Sequence, residues 1–378
     1  MTIPVNKTAG SIVTAQDYND LAGHINKIFG DEYTNSQPST DPATIANMKY
    51  GWGQSMIPYV QGAGPAADII TAAQWNDLSD RLQISVINTN DALIPVQRFK
   101  AGDASAHDSV KTNKIYAGQF NDLLSLTNTA DDNKNKLNPE ESIVSTAGND
   151  TRTVKWKSKI RSVVKFDFDS FDNARYFFNS GGTLTLGLSA TAGSTREYGV
   201  WQAIYAKLGQ FNLTIDTATC TGNGAISNNI GFYQLTSVDA LLLTVTGTGT
   251  GGGYGGYGGY GGYGGYGGYG GYGGYGGYGG YGGYGGYGNA VALEIFGRVD
   301  SNGAITITVS LNNVASSSHV DGTHTVTYGY KKAADFDNTL YPDWITTYQI
   351  NLADNHVQFS IASPEVHIVL PFSDPSNS

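Results

Sequence analysis

Hydrophobic and polar residues follow two different periods along the chain, and the period changes near residue 135. Before that point, apolar residues recur three or four positions apart, as they do along one face of an α-helix. After about residue 151, short runs rich in Val, Ile, Thr and Tyr are separated by Gly and Asn, which is typical of β-strands. The pattern therefore predicts an α+β protein, in which a module of short helices precedes a β-rich, sandwich-like domain.

A nine-residue motif occurs three times in the first part, at 13–21, 70–78 and 115–123. Each copy has an aromatic residue followed by Asn-Asp-Leu, and the first two have a Thr at their second position that predicts a capping box. Because a module of short helices buries little surface by itself, we expect the motif faces to dock on other chains. The predicted docking residues are Tyr18, Leu21, Trp75, Leu78, Phe120 and Leu123.

Polar sequence separates the two parts of the chain. Residues 131–141 are polar and end in Asn-Pro-Glu-Glu, which indicates a linker. We assign 1–135 to the helical docking module, 136–150 to the linker and 151–378 to the β-rich domain. Strands are predicted within 151–168 and at 183–188, 210–215, 240–246, 291–299, 304–311, 323–330, 345–350 and 366–370, and a helix at 199–208. The apolar side of the first of these segments is predicted to hold Val154, Trp156, Ile160, Val163, Phe166 and Phe168.

A Gly-Gly-Tyr arm interrupts the β-rich domain at 249–288. From 251 to 288 the chain contains 26 Gly and 12 Tyr and nothing else, with Tyr at every third position. A β-strand has a period of two, and each Gly costs an α-helix about 1 kcal/mol relative to Ala. A polyproline-II-type helix has three residues per turn, so the repeat predicts a polyglycine-II-type arm with all its tyrosines along one edge. The absence of Pro argues against a collagen triple helix.

The arm lies between two apolar runs, 240–246 and 290–296, which predict the strands of a hairpin. Two interpretations of the arm stay open: a contact surface for a glycan, a host surface or another subunit, and a spacer that grew by repeat slippage. The residues of the contact surface would be Tyr254, Tyr257, Tyr260, Tyr263, Tyr266, Tyr269, Tyr272, Tyr275, Tyr278, Tyr281, Tyr284 and Tyr287.

Composition and charge exclude several classes of protein. The net charge of −10 argues against nucleic-acid binding, which needs clustered Lys and Arg. The densest basic stretch, 152–161, is predicted to be the solvent face of a strand. Cys220 is the one cysteine, so neither a disulfide nor a cysteine zinc site can form within one chain. Neither a signal peptide nor a membrane span is predicted, and we expect synthesis in a host cytoplasm without membrane insertion.

Few residues suggest chemistry. His319 and His324 flank Asp321, but this spacing is better explained by a turn that leads into a strand than by a metal site. Three aspartates at 167, 169 and 172 lack the Gly and the terminal Glu of a calcium loop. We find no Ser/His/Asp arrangement and no pair of carboxylates that stands out. The sequence therefore predicts a protein that is not an enzyme and that holds neither a cofactor nor a metal.

Six short segments carry a resemblance to a known group of proteins. They lie at 18–21, 28–30, 50–55, 70–78, 174–182 and 320–330. These segments resemble virion structural proteins of T-even-like marine phages, including cyanophages. The resemblance implies a place in the tail, baseplate or fibre region, other virion subunits as partners and a homo-oligomer, with a trimer as the expected state. It implies no catalytic residues.

Two functions follow from these observations as expectations. The first is a structural component of a tailed-phage particle that docks through its N-terminal helices. The alternative is a receptor-binding adhesin that contacts host surface glycans through the tyrosine arm or the β domain, because tyrosine combines an apolar ring with a polar tip. Glycine-rich extended helices resemble those of tail-tip adhesins in T-even-like phages, but this arm lacks the recognition loops that interrupt those repeats. An enzyme that degrades host polysaccharide would need a pair of carboxylic acids, which we do not find.

Overall fold

The computed structural model describes residues 5–60, 70–89, 115, 117–248, 290–313, 319–335 and 359–373. The Gly-Gly-Tyr arm at 249–288 and the predicted strand at 345–350 lie outside the described residues. Within the described part the chain is a mixture of helices and two antiparallel sheets, so the α+β prediction is confirmed. None of the described helices is both long and apolar enough to cross a membrane.

The described residues of the N-terminal module contain four helices: α1 (Ala15–Ile28), α2 (Pro42–Met48), α3 (Ala72–Asn88) and α4 (Ala117–Asn133). The predicted capping boxes are present at the starts of α1 and α3, where Thr14 pairs with Asp17 and Thr71 pairs with Gln74. Each box satisfies backbone N–H groups that have no partner inside the helix. Local sequence therefore fixes where these two helices begin.

The repeated motif builds the core of the helical module. α1, α3 and α4 pack against one another. The aromatic and leucine residues of each motif are at most 1% exposed, so they cannot reach another chain, and the docking prediction is wrong for these side chains. The physical reason is that three motif faces cover one another and exclude water without a partner. The six buried residues are Tyr18, Leu21, Trp75, Leu78, Phe120 and Leu123.

Where the structure describes it, the β-rich domain contains two antiparallel sheets and two longer helices, α5 (Phe171–Asn179) and α6 (Arg196–Leu208). The first sheet has the order β1 (Ser142–Arg152), β10 (Thr323–Ala333), β3 (Thr183–Thr191), β4 (Gln210–Leu213) and β5 (Ala218–Cys220). The second has the order β11 (Glu365–Ser373), β2 (Lys159–Asp167), β9 (Ile305–Asn313), β8 (Ala290–Val299), β7 (Ala240–Thr248) and β6 (Ala225–Ser227).

Three contacts show that the two sheets lie face to face. Ser162 of β2 donates its hydroxyl to Asp150 Oδ2 of β1 (2.6 Å) and also bonds the hydroxyl of Tyr328 in β10. The same Asp150 oxygen accepts the backbone N–H of Phe372 in β11 (2.6 Å). These polar groups are buried and paired, which fixes how the sheets sit on each other.

Three details of the β domain differ from the sequence prediction. β1 begins at Ser142, inside the predicted linker at 136–150, and pairs with β10 along its length. As an edge strand with one exposed face, it carries the polar residues that resemble a linker. In β2 the buried side chains are Ile160, Ser162, Val164 and Phe166, so Val163 faces outward and Val154 is exposed before the strand. The basic stretch at 152–161 runs from the last residue of β1 through the connection into β2, so it does not form one strand face.

The predicted hairpin is present, because β7 pairs with β8 up to Thr248 and Ala290. Tyr233, shortly before β7, donates its hydroxyl to the Met48 carbonyl of the helical module (2.6 Å). At the other end of β7, Gly247 lies against Ile204 of α6. The helical module and the residues that flank the arm therefore lie at opposite ends of the β domain. We call these the helical end and the distal end.

Candidate functional site

Two of the segments that carry the resemblance meet at the helical end. The 50–55 segment follows α2, and the 174–182 segment forms most of α5. Asn179 Nδ2 donates to the backbone carbonyls of Met48 (2.9 Å), Tyr50 (2.7 Å) and Gly51 (2.9 Å). Arg175, one helical turn earlier, donates from Nη1 to the Tyr50 carbonyl (3.1 Å). Together these side chains hold the turn after α2 against α5, and we call this contact the junction.

A buried charge lies at the centre of the junction. The side chain of Arg175 is 0% exposed and pairs with the carboxylates of Asp31 and Asp172. Burial by itself lowers the pKa of Arg175, but the hydrogen bond and the charge of Asp31 outweigh burial and raise it. Tyr176 donates its hydroxyl to Asp31 (2.7 Å), and burial together with that bond raises the pKa of Tyr176. Asp31, which belongs to the helical module, thus binds two side chains of α5.

Trp52 supplies the apolar part of the junction. Its ring is 1% exposed and lies 5.5 Å from the ring of Phe29 and 5.3 Å from the ring of Phe359, between centroids. Its indole N–H donates to the Asn179 carbonyl (3.1 Å). The neighbouring Gly53 has a φ of +76°, and an added Cβ would come within 2.5 Å of the Tyr176 ring, so only glycine fits there.

The junction is a structural device rather than a reaction centre. Each donor of Arg175, Asn179 and Trp52 described above ends on a carbonyl or carboxylate of the same chain. Sequence reasoning noted both segments but not their contact. Arg175 and Asn179, four residues apart among the aromatic residues of α5, were the available signal, because such a polar pair needs acceptors when it is buried.

The 320–330 segment begins at the distal end and continues along β10. The carboxylate of Asp321 accepts hydrogen bonds from the backbone N–H of Thr195 (3.0 Å) and from its hydroxyl (2.6 Å), just before α6. These bonds hold the pKa of Asp321 below its usual range. Asp321 therefore positions the start of α6, and the later part of the same helix lies against β7 through Ile204.

His324 is buried beside this cap. Its Nδ1 lies 2.8 Å from the Tyr205 hydroxyl, and its Nε2 lies 3.1 Å from the Asp321 carbonyl. A carbonyl only accepts, so Nε2 carries the proton and Tyr205 donates to Nδ1. Both ring nitrogens are occupied within the chain, which leaves neither for a metal. Among the described residues, no group of three or more His, Cys, Asp or Glu side chains could hold a metal ion.

His324 predicts a loss of stability in mild acid. Burial lowers its pKa from the ordinary value of 6.5, so the folded state favours the neutral ring. The unfolded chain binds a proton more readily, and the stabilisation that is present above about pH 6.5 is lost as the pH falls. We expect urea unfolding to show a smaller free energy at about pH 5 than at about pH 7.5. His324→Gln should reduce this difference, whereas His367→Gln on the exposed surface should not. An equal pH dependence in His324→Gln and the parent would contradict the assignment.

The aspartates at 167, 169 and 172 lie at the end of β2, in the turn after it and in the first turn of α5. Asp167 pairs with Lys165 (2.6 Å) and accepts the backbone N–H of Asp169 (3.2 Å). The bond from Lys165 holds the pKa of Asp167 below its usual range. Asp172 pairs with Arg175. The carboxylates of Asp167 and Asp172 are therefore explained by local structure. The twelve arm tyrosines lie outside the described residues.

Comparisons of the chain with protein-family models, with curated proteins and with solved structures gave no match. Any functional assignment therefore depends on the geometry of the two ends and on the sequence resemblance described above.

Proposed function

We propose that this chain is a non-enzymatic structural subunit of a tailed-phage particle, in the tail, baseplate or fibre region. The observation that supports this most is the arrangement of the two ends. The helical module is clamped to the β domain by the buried contacts of Arg175 and Trp52. The strands that flank the Gly-Gly-Tyr arm, β7 and β8, end on the opposite side of the domain. A subunit of this kind attaches through its helical end and directs the arm away from the particle.

The attachment surface differs from the one that the sequence indicated. The motif faces are buried, but the helical module exposes other apolar side chains: Val5 is 74% exposed, Ile12 66% and Tyr59 50%. Contact with another protein removes such side chains from water, which favours binding. In the proposal these side chains bind a neighbouring virion subunit.

Incorporation into particles tests the proposal. We expect the double variant Ile12→Ser and Tyr59→Ser to reduce the amount of chain in purified particles about tenfold or more, since a loss of about 1.4 kcal/mol in binding is a factor of ten. The measurement is immunoblotting of gradient-purified particles against a known particle protein. The matched control is Ile226→Ser, which removes a similarly exposed (67%) aliphatic side chain from β6 and should leave incorporation unchanged. Absence of the parent chain from particles would refute the proposal.

The adhesin alternative is favoured by the distal position of the strands that flank the arm. Deletion of residues 254–287 separates the two functions. Under the structural proposal the deleted chain is incorporated and the particles adsorb to host cells normally. Under the alternative the deleted chain is also incorporated, but adsorption falls, because the tyrosines supply the contact with host glycans.

A further inference from the structure

The outer strand of the second sheet exposes a cluster of apolar side chains. β11 pairs with β2 on one side, and the described residues place no strand on its other side. Ile368, Val369 and Leu370 are 41%, 59% and 39% exposed. Neighbouring side chains of a strand point to opposite faces, so three consecutive exposed residues mean that the described chain covers neither face there. We call these three residues the apolar triplet.

The end of β11 beyond the triplet is closed to further strand pairing. Phe372 donates its backbone N–H to Asp150 Oδ2 (2.6 Å), and its carbonyl accepts a hydrogen bond from Arg152 Nη1 (3.1 Å). Pro371 has no backbone N–H to donate. The register with β2 is also shifted on both sides of Leu370, which kinks the edge. A partner at this edge therefore contacts the side chains of the triplet and does not continue the sheet.

The triplet lies midway between two opposite charges. Glu365 begins β11, and its side chain is 76% exposed, with His367 at 3.4 Å. Ser373 ends β11 beside Arg161 of β2, which is exposed and has no carboxylate partner among the described residues. The register places Glu365, Ser373 and Arg161 on the same face of the sheet. Val369, the most exposed member of the triplet, is four residues from each end of the strand.

This arrangement is complementary to itself. A twofold axis at Val369 runs β11 of a second copy antiparallel to the first, so that apolar triplet meets apolar triplet. The same rotation brings Glu365 of each copy to the Arg161 end of the other. A parallel arrangement would instead set Glu365 against Glu365 and Arg161 against Arg161, and like charges repel. The charges therefore favour a second copy in one orientation.

We propose that β11 forms a contact between two copies of this chain, related by a twofold axis at Val369. The inference uses only β11 and β2, so it does not depend on the place of the chain in a particle. Because such a contact closes at two copies, the expected assembly is a dimer and not the trimer that the resemblance implies. The patch is small, so we expect a Kd on the order of 10–100 µM. Unfolding measurements at low micromolar concentration then report on the single chain.

Sedimentation velocity of the full chain, from about 2 µM to about 500 µM, tests the inference. The parent should pass from monomer to dimer, and Val369→Ser should weaken the dimer about tenfold or more, because the axis brings the lost side chain into the contact twice. The matched control is Ile226→Ser, which removes an aliphatic side chain that is 67% exposed on β6, at the opposite edge of the same sheet. A monomer at every concentration, a trimer, or equal dimerisation of Val369→Ser and the parent would overturn the proposal. Circular dichroism checks that each variant is folded.

Two further experiments test the orientation. Glu365→Arg should weaken the dimer several-fold, and Glu365→Arg combined with Arg161→Glu should restore it. In a Cys220→Ser background, Val369→Cys should form a covalent dimer on oxidation, because a disulfide needs Cα atoms within about 7 Å. Glu365→Cys should not, since the antiparallel arrangement sets the two Glu365 positions at opposite ends of the contact. Efficient crosslinking of Glu365→Cys, or none of Val369→Cys, would overturn the twofold arrangement.

Discussion

Arg175→Met is expected to lower the free energy of unfolding by about 3–5 kcal/mol, the usual loss when one partner of a buried ion pair is removed. The variant leaves the largely buried carboxylate of Asp31 without its cation, and the carbonyl of Tyr50 loses a donor. The methionine fills part of the space but supplies neither charge nor donors. Urea unfolding followed by circular dichroism measures the loss.

Two further variants make this test specific to the junction. Arg161→Met, on the exposed side of β2, should change stability by no more than about 0.5 kcal/mol. Asp31→Asn combined with Arg175→Met should cost less than the sum of the single changes, because the unpaired charge has gone. A loss below about 1 kcal/mol in Arg175→Met would show that the junction contributes little.

Trp52→Ala should lower the free energy of unfolding by a similar amount, about 3–5 kcal/mol, for a different reason. The substitution opens a cavity between the rings of Phe29 and Phe359 and leaves the Asn179 carbonyl without the indole donor. Trp52→Phe keeps most of the apolar contact and should cost clearly less. Tyr59→Ala, which removes an aromatic ring that is 50% exposed, is the matched control.

Limited proteolysis adds a second readout for Trp52. Because Trp52 joins the helical module to Phe359 near β11, its loss should make the module cleave faster than the β domain. The same cleavage rates in the variant and the parent, together with unchanged stability, would contradict the role given to this residue.

The sequence predicted most of the regular structure because local rules decided it. The capping boxes before α1 and α3 depend on residues three positions apart, and both are present. The strands of the hairpin around the arm were recognised from two apolar runs, and β7 and β8 pair as expected. Six further predicted strands and the helix at 199–208 also correspond to described elements.

The errors arose where distant parts of the chain decide the outcome. Trp75 would be an apolar residue on a helical face whether it packed inside its own chain or docked on another one. Only the packing shows that its partners are in the same chain. β1 is polar because it is an edge strand, which becomes visible only once β10 is placed beside it. The pairing of Asp31 with Arg175 joins residues far apart in sequence, so no local pattern could reveal it.

Immunogold electron microscopy of purified particles tests the central claim most directly. One antibody is raised against the Gly-Gly-Tyr repeat and a second against residues 5–14 of the helical module; both are first shown to bind the isolated chain. The proposed orientation predicts label from the repeat antibody on intact particles and little label from the helical antibody, whose site is covered by the neighbouring subunit. Equal labelling by both antibodies, or labelling by neither, would contradict it.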